Sequence, residues 1–289
     1  MISNFIPTNE EYKHGIDILT QISYLIEPYT IFLIADGRPI GTAILIEHNA
    51  EKLFLSAHHV LEKIESAIHI QIVQKFDNRL RLYPEHSRNC FKIKYWDPNF
   101  QTTLLKNIAF IWNRTVTDLA IMIPDESILA TIKGHKYFYP IAIENEYVPV
   151  SHQDALVAMG VILDQNKFNA GPFAVVKNNL PPYSYDNGVD YIVCPIKNDT
   201  HAIASLGMNK IYNVDGLSGG GLWKIIKAAD SIRVKLAGIT IAQRIQNGAG
   251  DIIFHGQKSI NSFLSNYATA HDMQVLAELE KTNTTKLAL

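Results

Sequence analysis

The feature that most constrains this chain is a long succession of short apolar or alternating segments between about residues 30 and 254. Runs such as TIFLIA (30–35), KLFLSA (52–57) and LAIMI (119–123) have the period of β-strands, and polar turn clusters separate several of them. Parallel strands need a crossover of a dozen residues or more, and most gaps here lack one. The pattern therefore predicts an all-β protein of antiparallel strands, arranged as barrels or as a sandwich.

Helical patterns flank the strands at both ends of the chain. Residues 8–27 begin with capping-box spacing, Thr8 to Glu11, and continue with apolar residues at helical intervals. Residues 258 to about 281 have a similar pattern, followed by a polar tail. We expect four parts: an N-terminal helical segment (1–28), a first β-domain (29–135), a second β-domain (136–257) and a C-terminal helix with its tail (258–289).

Composition makes several classes of protein improbable. The 289 residues include 26 Lys+Arg and 28 Asp+Glu, a formal net charge of −2, so no general nucleic-acid-binding surface is expected. Neither an apolar run of membrane-spanning length nor the pattern of a secretory signal is present, and no membrane association is expected. With only Cys90 and Cys194, a disulfide scaffold is excluded, and two buried thiols in a reducing cytoplasm are expected. No metal-binding spacing or dinucleotide fingerprint occurs, so neither a metal nor a cofactor is expected.

Three short strings carry the residue types that acyl transfer needs. LSAHHV (55–60) ends a predicted strand, Asp118 opens another, and GLSGGG (216–221) lies in a loop before a third. A serine hydroxyl needs an imidazole to take its proton, and that imidazole needs a carboxylate to fix its tautomer. Glycines beside the serine allow the tight backbone that directs two N–H groups at one oxyanion. Each string is weak alone, but together they predict a nucleophilic serine.

In these strings the sequence resembles the chymotrypsin-like (trypsin-like) serine peptidases, especially the bacterial branch without disulfides. GTAILI (41–46) followed by LSAHHV, Asp118-Leu119-Ala120, and GLSGGG are similar to the family's motifs around its His, Asp and Ser. The resemblance covers about residues 30–265. It implies two six-stranded antiparallel β-barrels with the active site between them. It also implies a cytoplasmic serine endopeptidase that acts on a protein or peptide through an acyl-enzyme.

The resemblance assigns a role to each residue of the proposed triad. His59 would be the general base, Asp118 would orient it, and Ser218 would be the nucleophile. His59 is preferred to its neighbour His58 because it directly precedes Val60, as the family's His precedes a small apolar residue or Cys.

The resemblance also indicates an oxyanion hole and a substrate cleft. The amides of Gly216 and Ser218 would form the oxyanion hole. Tyr212 falls at the floor of the primary pocket, where the absence of an acid favours a neutral or apolar substrate side chain. The run LAGITIA (236–242) would pair with the substrate main chain. The expected substrate-binding residues are Tyr212, Leu217, Thr240, Ile241, Ala242 and Gln243.

Several positions depart from the family's pattern, and two of them concern activation and the catalytic Asp. Leu217 stands where the digestive members have an acid that pairs with a freshly cut N-terminus, so activation by that ion pair is not expected. Ile241 stands where a Ser often contacts the catalytic Asp. With no pro-segment evident, we expect control in the loop Asn209 to Leu217, where the Gly216 amide would point the wrong way until a substrate or a regulatory protein partner binds.

Two other functions fit the same sequence. A catalytically inactive double-barrel protein that binds peptides or acts as a scaffold would share these signals. An α/β-hydrolase esterase would match Gly-x-Ser-x-Gly, but that fold needs a helix directly after the serine, and GGGLW begins a helix poorly.

Overall fold

The structure is a computed structural model. It describes residues 9–76, 79–95, 118–132, 137–141, 149–151, 153–164, 167–175, 183–184, 190–197, 215–227, 231–246 and 249–270. Thr8 of the predicted capping box, Tyr212 of the predicted pocket and the expected helical residues after 270 lie outside these ranges.

Helices lie at both ends of the described chain, as the sequence predicts. Helix α1 spans Asn9–Ile26, and a second helix occupies residues 257–270. Two short helices within the β region were not predicted, α2 at His58–Ser66 and α3 at Glu126–Ile132, so the second terminal helix is α4. No helix in the described part of the chain combines the length and the apolar character needed to span a bilayer.

The first half of the chain forms one sheet. Its strands follow the order β5-β4-β1-β2-β3-β7-β6, with antiparallel neighbours, and a short β8 pairs in parallel with β2. The strands are β1 Thr30–Ala35, β2 Arg38–His48, β3 Glu51–Ser56, β4 His69–Phe76, β5 Arg79–Ser87, β6 Phe91–Tyr95, β7 Ala120–Pro124 and β8 Tyr139–Pro140.

The second half forms another sheet, again antiparallel. Its order is β10-β9-β13-β14-β15-β12-β11. The strands are β9 Leu156–Asp164, β10 Lys167–Val175, β11 Tyr183–Ser184, β12 Asp190–Lys197, β13 Gly221–Lys227, β14 Ile232–Gln246 and β15 Ala249–Gly256.

The predicted all-β architecture of two antiparallel sheets with a helix at each end is confirmed. It differs in detail from two six-stranded closed barrels. The first sheet has seven strands in a linear order and an eighth, the two-residue β8, that pairs with the interior strand β2; the second sheet has seven strands, of which the two-residue β11 lies at an edge. Among the described residues each sheet has a linear order of hydrogen-bonded strands, and no pairing joins its two ends.

Three apolar clusters explain why many strands are apolar on both faces. In β1, Ile31 and Leu33 point into a core inside the first sheet, whereas Phe32 and Ile34 point into a core shared by both sheets. The shared core also contains side chains from α1 and α4, and a third cluster fills the second sheet. A strand buried on both faces lacks apolar-polar alternation, so TIFLIA reads as a continuous apolar run. The shared core also holds the two sheets, and hence the two halves of the site, together.

Candidate active site

His59 and Asp118 are joined by two hydrogen bonds. The His59 ring nitrogen Nδ1 lies 2.5 Å from Asp118 Oδ2, and the His59 backbone N–H donates to Asp118 Oδ1 at 2.9 Å. Strand pairing produces this approach, because β3 and β7 align Ser56 with Ala120. Asp118, two residues before Ala120, is thus level with the first residues of α2.

The charge on Asp118 is maintained by His59. Burial alone would raise the pKa of this carboxyl, but the hydrogen bonds from His59 and the charge that its ring can carry outweigh burial and lower the pKa. An ionised Asp118 at neutral pH keeps the proton of a neutral His59 on Nδ1. Nε2 is then free of that proton and can act as a base.

His58 occupies a different environment from His59. Its Nδ1 lies 3.8 Å from Glu62 Oε1, one helical turn further along α2. Burial lowers the pKa of His58, although Glu62 and Asp118 oppose this effect. The histidine whose ring is bonded to Asp118 is therefore His59.

The loop that carries Ser218 lies against the start of α2, although it belongs to the second half of the chain. A Cβ added to Gly219, whose φ is +81°, would come within 2.1 Å of Ser56 Oγ and 3.1 Å of the Ala57 nitrogen. Only a residue without a side chain fits there, which explains the glycine after the serine. Ala57 directly precedes α2, so the loop of Ser218 lies beside the residues that lead into His59.

Gly41 marks a second close approach in the same region. A Cβ at Gly41 would come within 2.5 Å of Val60 Cγ2 and 2.9 Å of the Ser218 carbonyl oxygen. Among the residues that the structure describes, however, both hydrogen bonds of His59 run to Asp118, and none joins its ring to the Ser218 hydroxyl. The hydrogen bond between serine and histidine that acyl transfer needs is thus not formed in this conformation. Such contacts are often long in unliganded enzymes and tighten when substrate binds.

The backbone before Ser218 forms a 3₁₀ turn at Asp215–Leu217. In a 3₁₀ turn the amide of residue i+3 bonds to the carbonyl of residue i, so the Ser218 N–H is directed at the Asp215 carbonyl. This amide is one of the two expected from the sequence to bind an oxyanion. In this conformation it therefore points into the turn.

Leu217 is a buried anchor of this loop. Its side chain is fully buried in the core of the second sheet. A Cβ at Gly160 of β9 would lie only 2.4 Å from Leu217 Cδ1, so the leucine occupies the space that a side chain at position 160 would need. The Leu217 side chain therefore faces the protein interior.

Strand β14 borders the serine loop. The Gly219 N–H donates to the Thr240 carbonyl at 2.7 Å, and the Thr240 N–H donates to the Gly220 carbonyl at 2.8 Å. Among described residues, pairing of β13 with β14 stops at Ile239, so the main chain from Ile241 onwards has no strand partner on this side. Ile241 and Ala242 are buried, and Gln243 follows them on the same strand.

Two further residues at the site were not predicted from the sequence. Thr42 of β2 bonds to the serine loop, and its only sequence signal is its place in GTAILI. His255 of β15 is fully buried, and among the described residues neither ring nitrogen has a hydrogen bond of normal geometry. Burial lowers the pKa of His255 to about 4, against the attraction of the Asp118 carboxylate and the nearby Asp190 backbone. Within the described ranges, no group of three or more His, Cys, Asp or Glu residues could hold a metal ion.

Known structures with a similar fold include several proteases. No protein-family model matches the sequence, and no curated protein is significantly similar to it. The HtrA-type protease AlgW with a tripeptide aligns at 16% identity and TM-score 0.44, over 87% of this chain and 60% of that one. Neuropsin, a serine protease expressed in mouse brain, aligns at 12% identity and TM-score 0.48, over 84% and 95%. Human heparin binding protein aligns at 11% identity and TM-score 0.46, over 83% and 91%. The chain spans less than two thirds of the AlgW chain.

Proposed function

We propose that this protein is a serine endopeptidase. The observation that carries the proposal is the pair His59–Asp118 on the first sheet, placed where the Ser218 loop of the second sheet meets the start of α2. An imidazole fixed by an ionised carboxylate beside a serine in a glycine-rich loop is the arrangement that acyl transfer requires.

The proposed reaction proceeds in two halves. Ser218 Oγ attacks the carbonyl carbon of the peptide bond, and its proton passes to Nε2 of His59 while Asp118 stays ionised. His59 then gives this proton to the leaving amine as the C–N bond breaks, which leaves an ester on Ser218. A water molecule, deprotonated by the same nitrogen, attacks that ester and releases the acid with the Ser218 hydroxyl restored.

The oxyanion hole in this proposal consists of the amides of Gly216 and Ser218. For the hole to form, the peptide between residues 215 and 216 turns so that the Asp215 carbonyl releases the Ser218 N–H. A substrate strand that pairs with the unpartnered edge of β14 after Ile239 would favour this turn. Buried Ile241 and Ala242 at that edge support a substrate with neutral or apolar side chains.

The same loop, before Ser218, would also control the activity. A substrate or a regulatory protein that stabilises the open hole would activate the enzyme by shifting this equilibrium. Full activity of the isolated protein on casein would contradict such control. Cys90 and Cys194 are both buried and form no disulfide, which supports the proposal that the protein works in a reducing cytoplasm.

A fluorophosphonate probe, which reacts with activated serines, tests the function. We expect the intact protein to be labelled, and Ser218→Ala and His59→Ala to lose labelling and peptide turnover by about 10⁴-fold or more. His58→Ala is the matched control, since it removes the adjacent imidazole but not the one bonded to Asp118. Equal losses in the two histidine variants, or labelling that survives Ser218→Ala, would contradict the proposed roles.

An inactive peptide-binding protein is the second candidate. The absence of a serine–histidine hydrogen bond among the described residues and the 3₁₀ turn before Ser218 favour it. A peptide that binds equally well to the Ser218→Ala variant, with no turnover of any substrate by the native protein, would establish this alternative.

A further inference from the structure

Thr42 uses all of its polar groups at the junction of the two sheets. Its hydroxyl donates to the Gly216 carbonyl at 2.8 Å, and its backbone N–H donates to the Ser218 carbonyl at 2.8 Å. Its own carbonyl accepts a hydrogen bond from Ser56 Oγ at 2.7 Å. Thr42 is fully buried, so these bonds do not compete with bulk solvent.

The two carbonyls that Thr42 binds flank Leu217. Leu217 itself is anchored on the opposite side, in the core of the second sheet against Gly160. Gly216 is equally confined, because a Cβ there would come within 2.6 Å of Val161 Cβ. The backbone from the Gly216 carbonyl to the Ser218 carbonyl is therefore held from both sheets.

We propose that Thr42 is a positioning residue for the nucleophile, and that its hydroxyl fixes the Gly216–Leu217 peptide from which Ser218 is suspended. The inference rests on the proposed function and goes beyond it. With this peptide fixed, the rotation that opens the oxyanion hole is confined to the single peptide between residues 215 and 216. Thr42 thus orders the loop without the N-terminal ion pair, which the apolar side chain of Leu217 cannot make.

The side chain at position 42 suits this task. A β-branched threonine has few allowed χ1 rotamers, so its hydroxyl is directed with little loss of freedom. Valine has nearly the same shape but no hydroxyl, and it would leave the buried Gly216 carbonyl without this donor. Serine keeps the hydroxyl and removes only a methyl group. These two substitutions therefore separate the hydrogen bond from the packing.

Thr30 provides a matched control for the valine substitution. It is also buried, and its hydroxyl likewise donates to a main-chain carbonyl, that of Ile26 at 3.2 Å, but it lies at the start of β1 away from the serine loop. We would measure the fluorophosphonate labelling rate, kcat and KM for a peptide, and Tm, in Thr42→Val, Thr42→Ser and Thr30→Val.

We expect Thr42→Val to slow labelling and to lower kcat at least tenfold with little change in KM. Thr42→Ser should retain most of the native labelling rate and most of the native kcat. Thr30→Val should be labelled at the native rate even if its Tm falls as far as that of Thr42→Val. Equal labelling of the two valine variants would overturn the positioning role.

A measurement that does not need catalysis separates this inference from the proposed function. Gly219 and Gly220 amides donate to the Thr240 and Leu217 carbonyls, so their hydrogen exchange reports the order of the loop. We expect at least tenfold faster exchange at these amides in Thr42→Val, and native rates in Thr30→Val. If the native protein never reacts with the probe, the peptidase proposal fails, while this exchange still decides the role of Thr42. Unchanged exchange in Thr42→Val would refute it.

Discussion

Acidification should destabilise the protein through His255. This imidazole is fully buried in β15, tilted against the Tyr191 ring at a centroid distance of 4.8 Å, and burial lowers its pKa to about 4 from an ordinary value of 6.5. The unfolded chain therefore binds a proton at a higher pH than the folded protein does. Stability from this group is complete above pH 6.5, falls as the pH drops towards 4, and changes little below that.

The magnitude follows from the difference between the two pKa values. One pKa unit corresponds to about 1.4 kcal/mol, so the lowered pKa of His255 accounts for a loss of about 3 kcal/mol between neutral pH and pH 4. Two carboxyls share the surroundings of the ring: Asp118, whose charge attracts the protonated form, and Asp190, whose own pKa is raised by burial. Both carboxyls remain in a variant at position 255, so a difference between the native protein and that variant isolates the imidazole.

Urea unfolding at several pH values between 7 and 4 would measure this effect. His255→Phe keeps an aromatic ring beside Tyr191 but cannot be protonated, and its free energy of unfolding should fall about 3 kcal/mol less over this range than that of the native protein. His69→Gln removes an exposed imidazole and controls for the loss of a histidine elsewhere. Parallel pH profiles for the native protein and His255→Phe would refute the reasoning.

Three further predictions, one on a single substitution and two on matched pairs of substitutions, test the site. Asp118→Asn should keep the fold but lower kcat by about 10⁴-fold, because the amide no longer fixes the His59 tautomer; normal turnover would remove Asp118 from the mechanism. Leu217→Ala and Leu222→Ala, both from the buried core of the second sheet, should each lower the free energy of unfolding by about 2–5 kcal/mol, but only Leu217→Ala should also slow fluorophosphonate labelling. Gly37→Ala should lower the free energy of unfolding, measured with denaturant, by about 1–2 kcal/mol, since Gly37 has a φ of +77° and nothing lies near the added Cβ. Gly219→Ala also introduces a severe clash, so it should lower the free energy of unfolding by clearly more. Equal slowing of labelling by the two leucine variants, or equal losses of stability in the two glycine variants, would contradict the packing described here.

The sequence predicts the sheets well where the strands are long and apolar. TIFLIA coincides with β1, and LAIMI overlaps β7, because both lie between two apolar cores. Helix α2 was missed since no side chain caps its start and it is only nine residues long. Its buried Val60, Leu61 and Ile64 do have helical spacing, which is the signal that could have indicated it.

The parts of the site that could not be predicted depend on contacts between distant residues. Thr42 and Gly216 are 174 positions apart, and no local pattern relates a strand threonine to a loop carbonyl in the other sheet. The same holds for His255, because no local pattern in the sequence around it predicts which residues surround its ring. The conformation of the loop depends on its surroundings as well, so GLSGGG alone could not reveal the 3₁₀ turn before Ser218.

The hydrogen bonds from Thr42 to the carbonyls on both sides of Leu217 make the conformation of the serine loop depend on completed folding. The half of the polypeptide that is synthesised first supplies Thr42, and the half synthesised last supplies the main-chain carbonyls of Gly216 and Ser218 that bond to it. A molecule whose halves have not yet docked would contain the serine without its support. Under the proposed function, only a correctly assembled protein would have a reactive Ser218, and a partly folded chain would not cleave other proteins.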